Sequence, residues 1–214
     1  MARMLMALSA RIGRLLLLLG IPLGLAGCIA LGPAEVTRAI AVADGAVVVS
    51  GPTGYCIDRA ATRDGPEGAF VLFGTCAALA GSPAAGQPDD PAVLTVSVLP
   101  GAPDAATFAE SLPALTTFFR SAPGRAALSR SGEAADITVA NVVQADGALL
   151  LELRDASAAR GQQVEPEYWR AVLTLEGSMV TVSALSLNSR PLSSGQKRRV
   201  LEALIARIRA ANAA

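Results

Sequence analysis

The sequence predicts an α+β domain: one antiparallel sheet of about six or seven strands with helices packed on it. Three observations predict it. Alternating, β-branched runs separated by turn residues recur along the chain. Two stretches, near residues 104–120 and 193–209, change to helical spacing. The resulting order is strands, helix, four meandering strands, helix, which suits segregated helices and strands better than alternating ones.

The chain opens with the parts of an export signal. Arg3, Arg11 and Arg14, with no acidic residue among them, flank an apolar run of Leu15 to Leu19, Ile21, Leu23 and Leu25. Leu25-Ala26-Gly27-Cys28 closes that run. These four residues resemble the processing box of bacterial lipoprotein precursors. The resemblance implies a diacylglyceryl thioether on Cys28, cleavage before it, and acylation of the new amino group. Ile29, where an Asp would signal retention, implies transfer to the outer membrane. A transmembrane helix is the competing reading, but the run is short for a span and is broken by Pro22 and by Gly20, Gly24 and Gly27. The expected division is a signal peptide at residues 1–27, a lipidated tether at 28–35 and a single periplasmic α+β domain at 36–214. Residues 29–34 reach roughly 20 Å when extended, which keeps the domain beside the bilayer.

Residues 46–50 form a β-branched run ended by Gly51-Pro52, and residues 54–58 continue it after a turn. Residues 69–76 are the next strand, entered through the turn chemistry of residues 63–68. Residues 77–91 are Ala, Gly, Ser, Pro and Asp with little to bury, and read as an exposed loop. Residues 92–99 alternate, with Leu94, Val96 and Val98 on one face. Phe108, Leu112, Leu115 and Phe119 then recur at helical spacing behind Asp104 as cap, and Pro113 predicts a kink or two shorter pieces. A second short helix is expected at residues 125–129. Residues 137–143 and 148–153 meet through Asp146-Gly147, a strong hairpin signal. A second hairpin joins residues 169–176 to 179–185 across Gly177-Ser178. Leu201, Leu204, Ile205 and Ile208 make the stripe of the last helix, with Ser193 and Gln196 as its capping box. This element order is similar to the sandwich of photosystem PsbP and Mog1-type domains.

Cleavage before Cys28 would leave 187 residues, enough for one proper core. The remainder carries 15 basic against 18 acidic residues, so no basic surplus attracts phosphates and no nucleic-acid partner is expected. With no histidine in the chain, His-dependent triads and His-ligated metals are excluded. Setting Cys28 aside, Cys56 and Cys76 remain as an even pair in an oxidising compartment, and a structural disulfide is expected.

Several clusters were weighed for chemistry. Ser194 and Lys197 match Ser-x-x-Lys, the nucleophile motif of penicillin-binding proteins and β-lactamases, but the companion motifs of that family are missing and helix capping explains the match. Asp58, Asp64 and Glu67 could offer oxygens to a hard cation, yet Arg59 and Arg63 intervene, so solvated turn charges are expected. Asp89-Asp90 reads as a surface pair. Glu165 and Glu167 beside Trp169 have the residue types of a glycosidase site, though the two carboxylates would share one strand face and point to solvent, with Trp169 a core anchor. No catalytic residue, cofactor or metal site is assigned. The expectation is an envelope lipoprotein, held to the membrane by lipid on Cys28, whose non-enzymatic domain binds an envelope protein or assists an assembly. The expected contact surfaces are residues 77–91 and 58–67. A carrier or sensor of a small apolar ligand, with its site between helices and sheet, is the first alternative; a hydrolase with an unrecognised site is the second.

Overall fold

A computed structural model describes residues 36–159 and 163–213. Cys28, the box before it and the tether after it lie outside the described residues. Among the described residues, seven strands form one antiparallel sheet. They are β3 (Tyr55–Gly65), β4 (Gly68–Thr75), β5 (Val93–Pro100), β6 (Ile137–Ala145), β7 (Ala148–Asp155), β8 (Val164–Leu175) and β9 (Ser178–Leu187), in spatial order β3-β4-β5-β9-β8-β7-β6. A separate two-stranded ribbon, β1 (Ala39–Val42) and β2 (Val47–Ser50), precedes them. The predicted fold class is the observed one.

The alternation of β-branched and small residues decides which side each strand buries. On the first face, Val71 and Phe73, Leu94, Val96 and Val98, Trp169, Ala171 and Leu173, and Val180, Val182 and Ala184 make one apolar layer. The ribbon and α4 (Ser194–Asn212) cover it, through Val42, Val47 and Val49 and through Leu201, Leu204, Ile205 and Ile208. On the second face, α2 (Ala105–Arg120) and α3 (Ala122–Leu128) pack over β6, β7 and β8, with Phe108, Leu112 and Leu128 against Leu149, Leu151, Leu153 and Tyr168. The second face of β3, β4 and β5 carries Leu72, Thr95 and Ser97, all half-buried, outside both cores.

Several local expectations are corrected. Residues 77–91 are not an open loop: α1 (Cys76–Ala80) starts there, capped by Thr75, and a turn of 3-10 helix follows at Pro83–Ala85. What orders this segment comes from elsewhere in the chain. The Tyr55 hydroxyl donates to the Asp90 carbonyl at 2.5 Å and accepts from the Ala92 N–H at 3.0 Å. Gly54, with φ at +83°, lets the backbone of Pro88 come so close that a Cβ would sit 2.6 Å from its nitrogen. Pro113 does not divide α2, which runs as one helix behind its Asp104 cap; the proline lies on the exposed side while Phe108 and Leu112 anchor the buried one. The second short helix begins earlier than expected, at Ala122. The β8–β9 turn is Glu176-Gly177, both with positive φ, so Ser178 already belongs to β9.

Cys56 and Cys76 form a disulfide, with Cα atoms 4.8 Å apart, tying β3 to the first residue of α1. The bridge closes 19 intervening residues, which the chain-entropy account values at about 3 kcal/mol. Cys56→Ser is therefore expected to lower the urea midpoint by a corresponding amount. Equal midpoints for the unaltered protein with and without reductant would contradict that.

Register places four turns at one end of the molecule. Gly65 pairs with Gly68, Val42 with Val47, Ala145 with Ala148 and Leu175 with Ser178, and Ala43 N–H donates to Asp64 Oδ1 across two of these tips. Asp44, Asp64, Glu67, Asp146 and Glu176 sit on these tips, all exposed. At the opposite end lie Tyr55, α1, residues 86–92 and the start of α4.

Candidate functional site

The densest set of polar side chains gathers around the first two turns of α4. Ser193 caps the helix, its hydroxyl accepting from the Gln196 N–H while Gln196 Oε1 accepts from the Ser193 N–H at 3.0 Å. Three carboxylates then approach this helix end, where the exposed N–H groups and the helix dipole favour negative charge. Asp90 accepts from Gln196 Nε2 at 2.6 Å and meets Arg199 at 3.5 Å. Glu152 accepts from the Ser194 hydroxyl at 2.5 Å, and that hydroxyl accepts in turn from Trp169 Nε1 at 2.8 Å. Glu165 accepts from Lys197 Nζ at 2.8 Å and from the Ser186 hydroxyl.

Lys197 is the centre of this set. Its side chain is 5% exposed, and Nζ also donates to the Glu167 carbonyl at 2.9 Å. Burial opposes ionisation of Glu165, but hydrogen bonds from Lys197 and Ser186 outweigh it and hold the carboxyl below the usual glutamate range. Glu165 therefore does not point to solvent as expected. A register shift between Val164 and Tyr168 aims it at α4 instead. Glu167 does stay exposed, 3.4 Å from Arg154. Trp169 is the core anchor the sequence predicted, buried on the first face with the Arg198 guanidinium 5.5 Å from its ring centre.

Ser194 and Lys197 thus belong to two different bonded sets. The serine is turned to Glu152 and the lysine is an ion-paired ammonium, so the Ser-x-x-Lys match is not assembled as nucleophile and base. Asp58 folds back on its own strand, accepting from the N–H groups of Ala60 and Ala61 at 3.0 and 3.2 Å, and Asp64 serves the ribbon. Among the described residues, no three acidic or cysteine side chains are grouped to hold a metal ion. Sequence reasoning missed two buried polar groups on the second face. Asp155 accepts from Ser157 N–H at 2.9 Å and Arg130 N–H at 3.3 Å, and the Tyr168 hydroxyl has no hydrogen-bond partner among the described residues. Burial pushes the Tyr168 phenol up.

Beside α4 lies an open groove of about 510 Å³ between the β2–β3 turn, residues 87–90 and the helix. Pro52, Pro88 and Val200 give it apolar walls, and Asp89, Asp90 and Arg199 line it with charge. A second open space of about 420 Å³, lined by Ala148, Leu150, Glu202, Ile205 and Arg209, lies between α4 and the β6–β7 end of the sheet, where the ligand-carrier alternative places its site. No family model matches this chain, and no curated protein matches it.

Proposed function

We propose that the chain is a lipid-anchored envelope protein of the outer membrane whose periplasmic domain binds a protein partner. The observation that carries this reading is Leu25-Ala26-Gly27-Cys28 at the end of an arginine-flanked apolar run. Two or more acyl chains make attachment effectively stable, and a tether of a few residues concentrates the domain near membrane partners. The turn that ends residues 58–67 stands beside those of Asp44, Asp146 and Glu176, and the exposed acids at this end, Asp64 and Glu67 among them, support docking of a basic surface, since complementary charge speeds and orients encounter. Of residues 77–91, the other expected contact surface, residues 87–90 line the groove beside α4.

Cys28→Ser is expected to leave the precursor unprocessed and without lipid, seen by intact mass and membrane fractionation. Wild-type mass and fractionation for that variant would end the anchor reading. A second measurement follows from composition. Lys197 is the single lysine of the chain and is buried, so a processed protein with an acylated Cys28 amine presents no reactive amine. An amine-directed ester is expected to label none in the native protein and one after unfolding. A labelled α-amine in the native protein would argue against acylation. For the partner, crosslinking in intact cells is expected to lose its recurrent product when Asp146 and Glu176 are both changed to Lys; an unchanged product would move the docking end elsewhere.

A further inference from the structure

The groove beside α4 combines three properties that together point to a ligand. It is charged with both signs. Arg199 is 67% exposed on its side chain and meets Asp90 at a loose 3.5 Å. Asp89 is exposed, and among the described residues it makes no hydrogen bond or ion pair. The groove is also rigidly built, because the Tyr55 hydroxyl bonds and the Gly54–Pro88 approach fix the 87–92 wall against β3. Finally, it lies near the root of the tether. Thr37 carbonyl accepts from Ile57 N–H at 2.7 Å, two residues along β3 from Tyr55, and Arg38 carbonyl accepts from Gly51 N–H at 3.0 Å, next to Pro52. From Cys28 to Val36 the chain can extend roughly 26–29 Å. A bilayer holding Cys28 is therefore within reach of this end of the sheet, while the acidic turns stand at the far end.

We propose that this groove binds the zwitterionic phosphoethanolamine headgroup of a membrane lipid, with the phosphate on Arg199 and the ammonium on Asp89 and Asp90. This rests on the lipid-anchor reading. The guanidinium fork matches phosphate oxygens, and a primary ammonium offers three N–H donors to the two carboxylates. A trimethylammonium headgroup has the positive charge but no N–H donor, and a glycerol headgroup has hydroxyl donors but no positive charge. The headgroup would seat the domain with α4's first turn toward the bilayer and the turns at Asp64, Asp146 and Glu176 facing away, free for a partner and remote from anionic lipid.

The test uses the processed protein in nanodiscs of phosphatidylglycerol mixed with either phosphatidylethanolamine or phosphatidylcholine. Amide hydrogen exchange is read at residues 87–92 and 197–203. Exchange at these residues is expected to slow at least fivefold on phosphatidylethanolamine relative to phosphatidylcholine. Arg199→Gln and Asp89→Asn should each abolish the difference without moving the thermal midpoint. Equal exchange on the two lipids, or a difference that survives both substitutions, overturns the headgroup site. Intact mass of the same preparation reports the anchor separately: acylated Cys28 with equal exchange refutes the site alone, and an unacylated Cys28 refutes the anchor on which it rests.

Discussion

Lys197→Ala is expected to destabilise the domain by about 3–5 kcal/mol, read as a fall in the urea midpoint at constant slope. The magnitude follows from what the substitution leaves behind. Glu165 keeps its place under α4 but loses its cation, and the Glu167 carbonyl loses a charged donor. Removing one member of a covered pair costs more than the pair contributes, because the remaining charge stays desolvated. Lys197→Ala with Glu165→Gln should therefore recover part of the loss. Acid should act in the same direction as the substitution. The folded state holds the Glu165 carboxyl below its ordinary value, so between the two values the unfolded chain binds more protons than the folded one. This contribution is complete above the ordinary glutamate pKa of about 4.3 and drains away as pH falls through the lowered folded value. The gap between the wild type and Lys197→Ala should accordingly narrow on acidification. A gap independent of pH between neutrality and pH 3 would show that the ion pair is not what Lys197 contributes.

Trp169→Ala should cost about 3–5 kcal/mol, the range for deleting a large buried aromatic. Here the loss has two parts. The ring fills the first-face core, and its Nε1 donates to Ser194, which is how β8 holds the start of α4. Trp169→Phe restores most of the volume without the donor, and is expected to recover more than half of the stability. If Trp169→Phe were as damaging as Trp169→Ala, the hydrogen bond to Ser194 would dominate over packing.

Much of this architecture could be read in the sequence, for local reasons. Asp146-Gly147 adopts positive φ at both residues, the conformation its residue types favour, and so joins β6 to β7 as expected. The Ser193–Gln196 capping box spans three residues and needs no tertiary partner. The apolar stripe of α4 and the cap at Asp104 are equally local. Expectations failed where the deciding contact came from far along the chain. Residues 77–91 contain little to bury, so their order was invisible until Tyr55 and Gly54 were placed beneath them. Glu165 looked solvent-facing because Lys197, its partner, is a whole hairpin away. At four residues, β1 is too short for the alternation of Ile40 and Val42 with alanines to stand out; β2 pairs with it and Val42 reaches the core.

By itself, the sequence determined the fold class, the strand alternation, the helix caps and the even cysteine pair, because short-range sterics and hydrophobic periodicity act within a few residues. Tertiary structure alone decided that Ser194 and Lys197 part company, that three carboxylates converge on the start of α4, and that a charged groove opens between the β2–β3 turn, residues 87–90 and that helix. Such placements depend on sheet register and on close approaches between distant segments, and neither is encoded in any local stretch of residues.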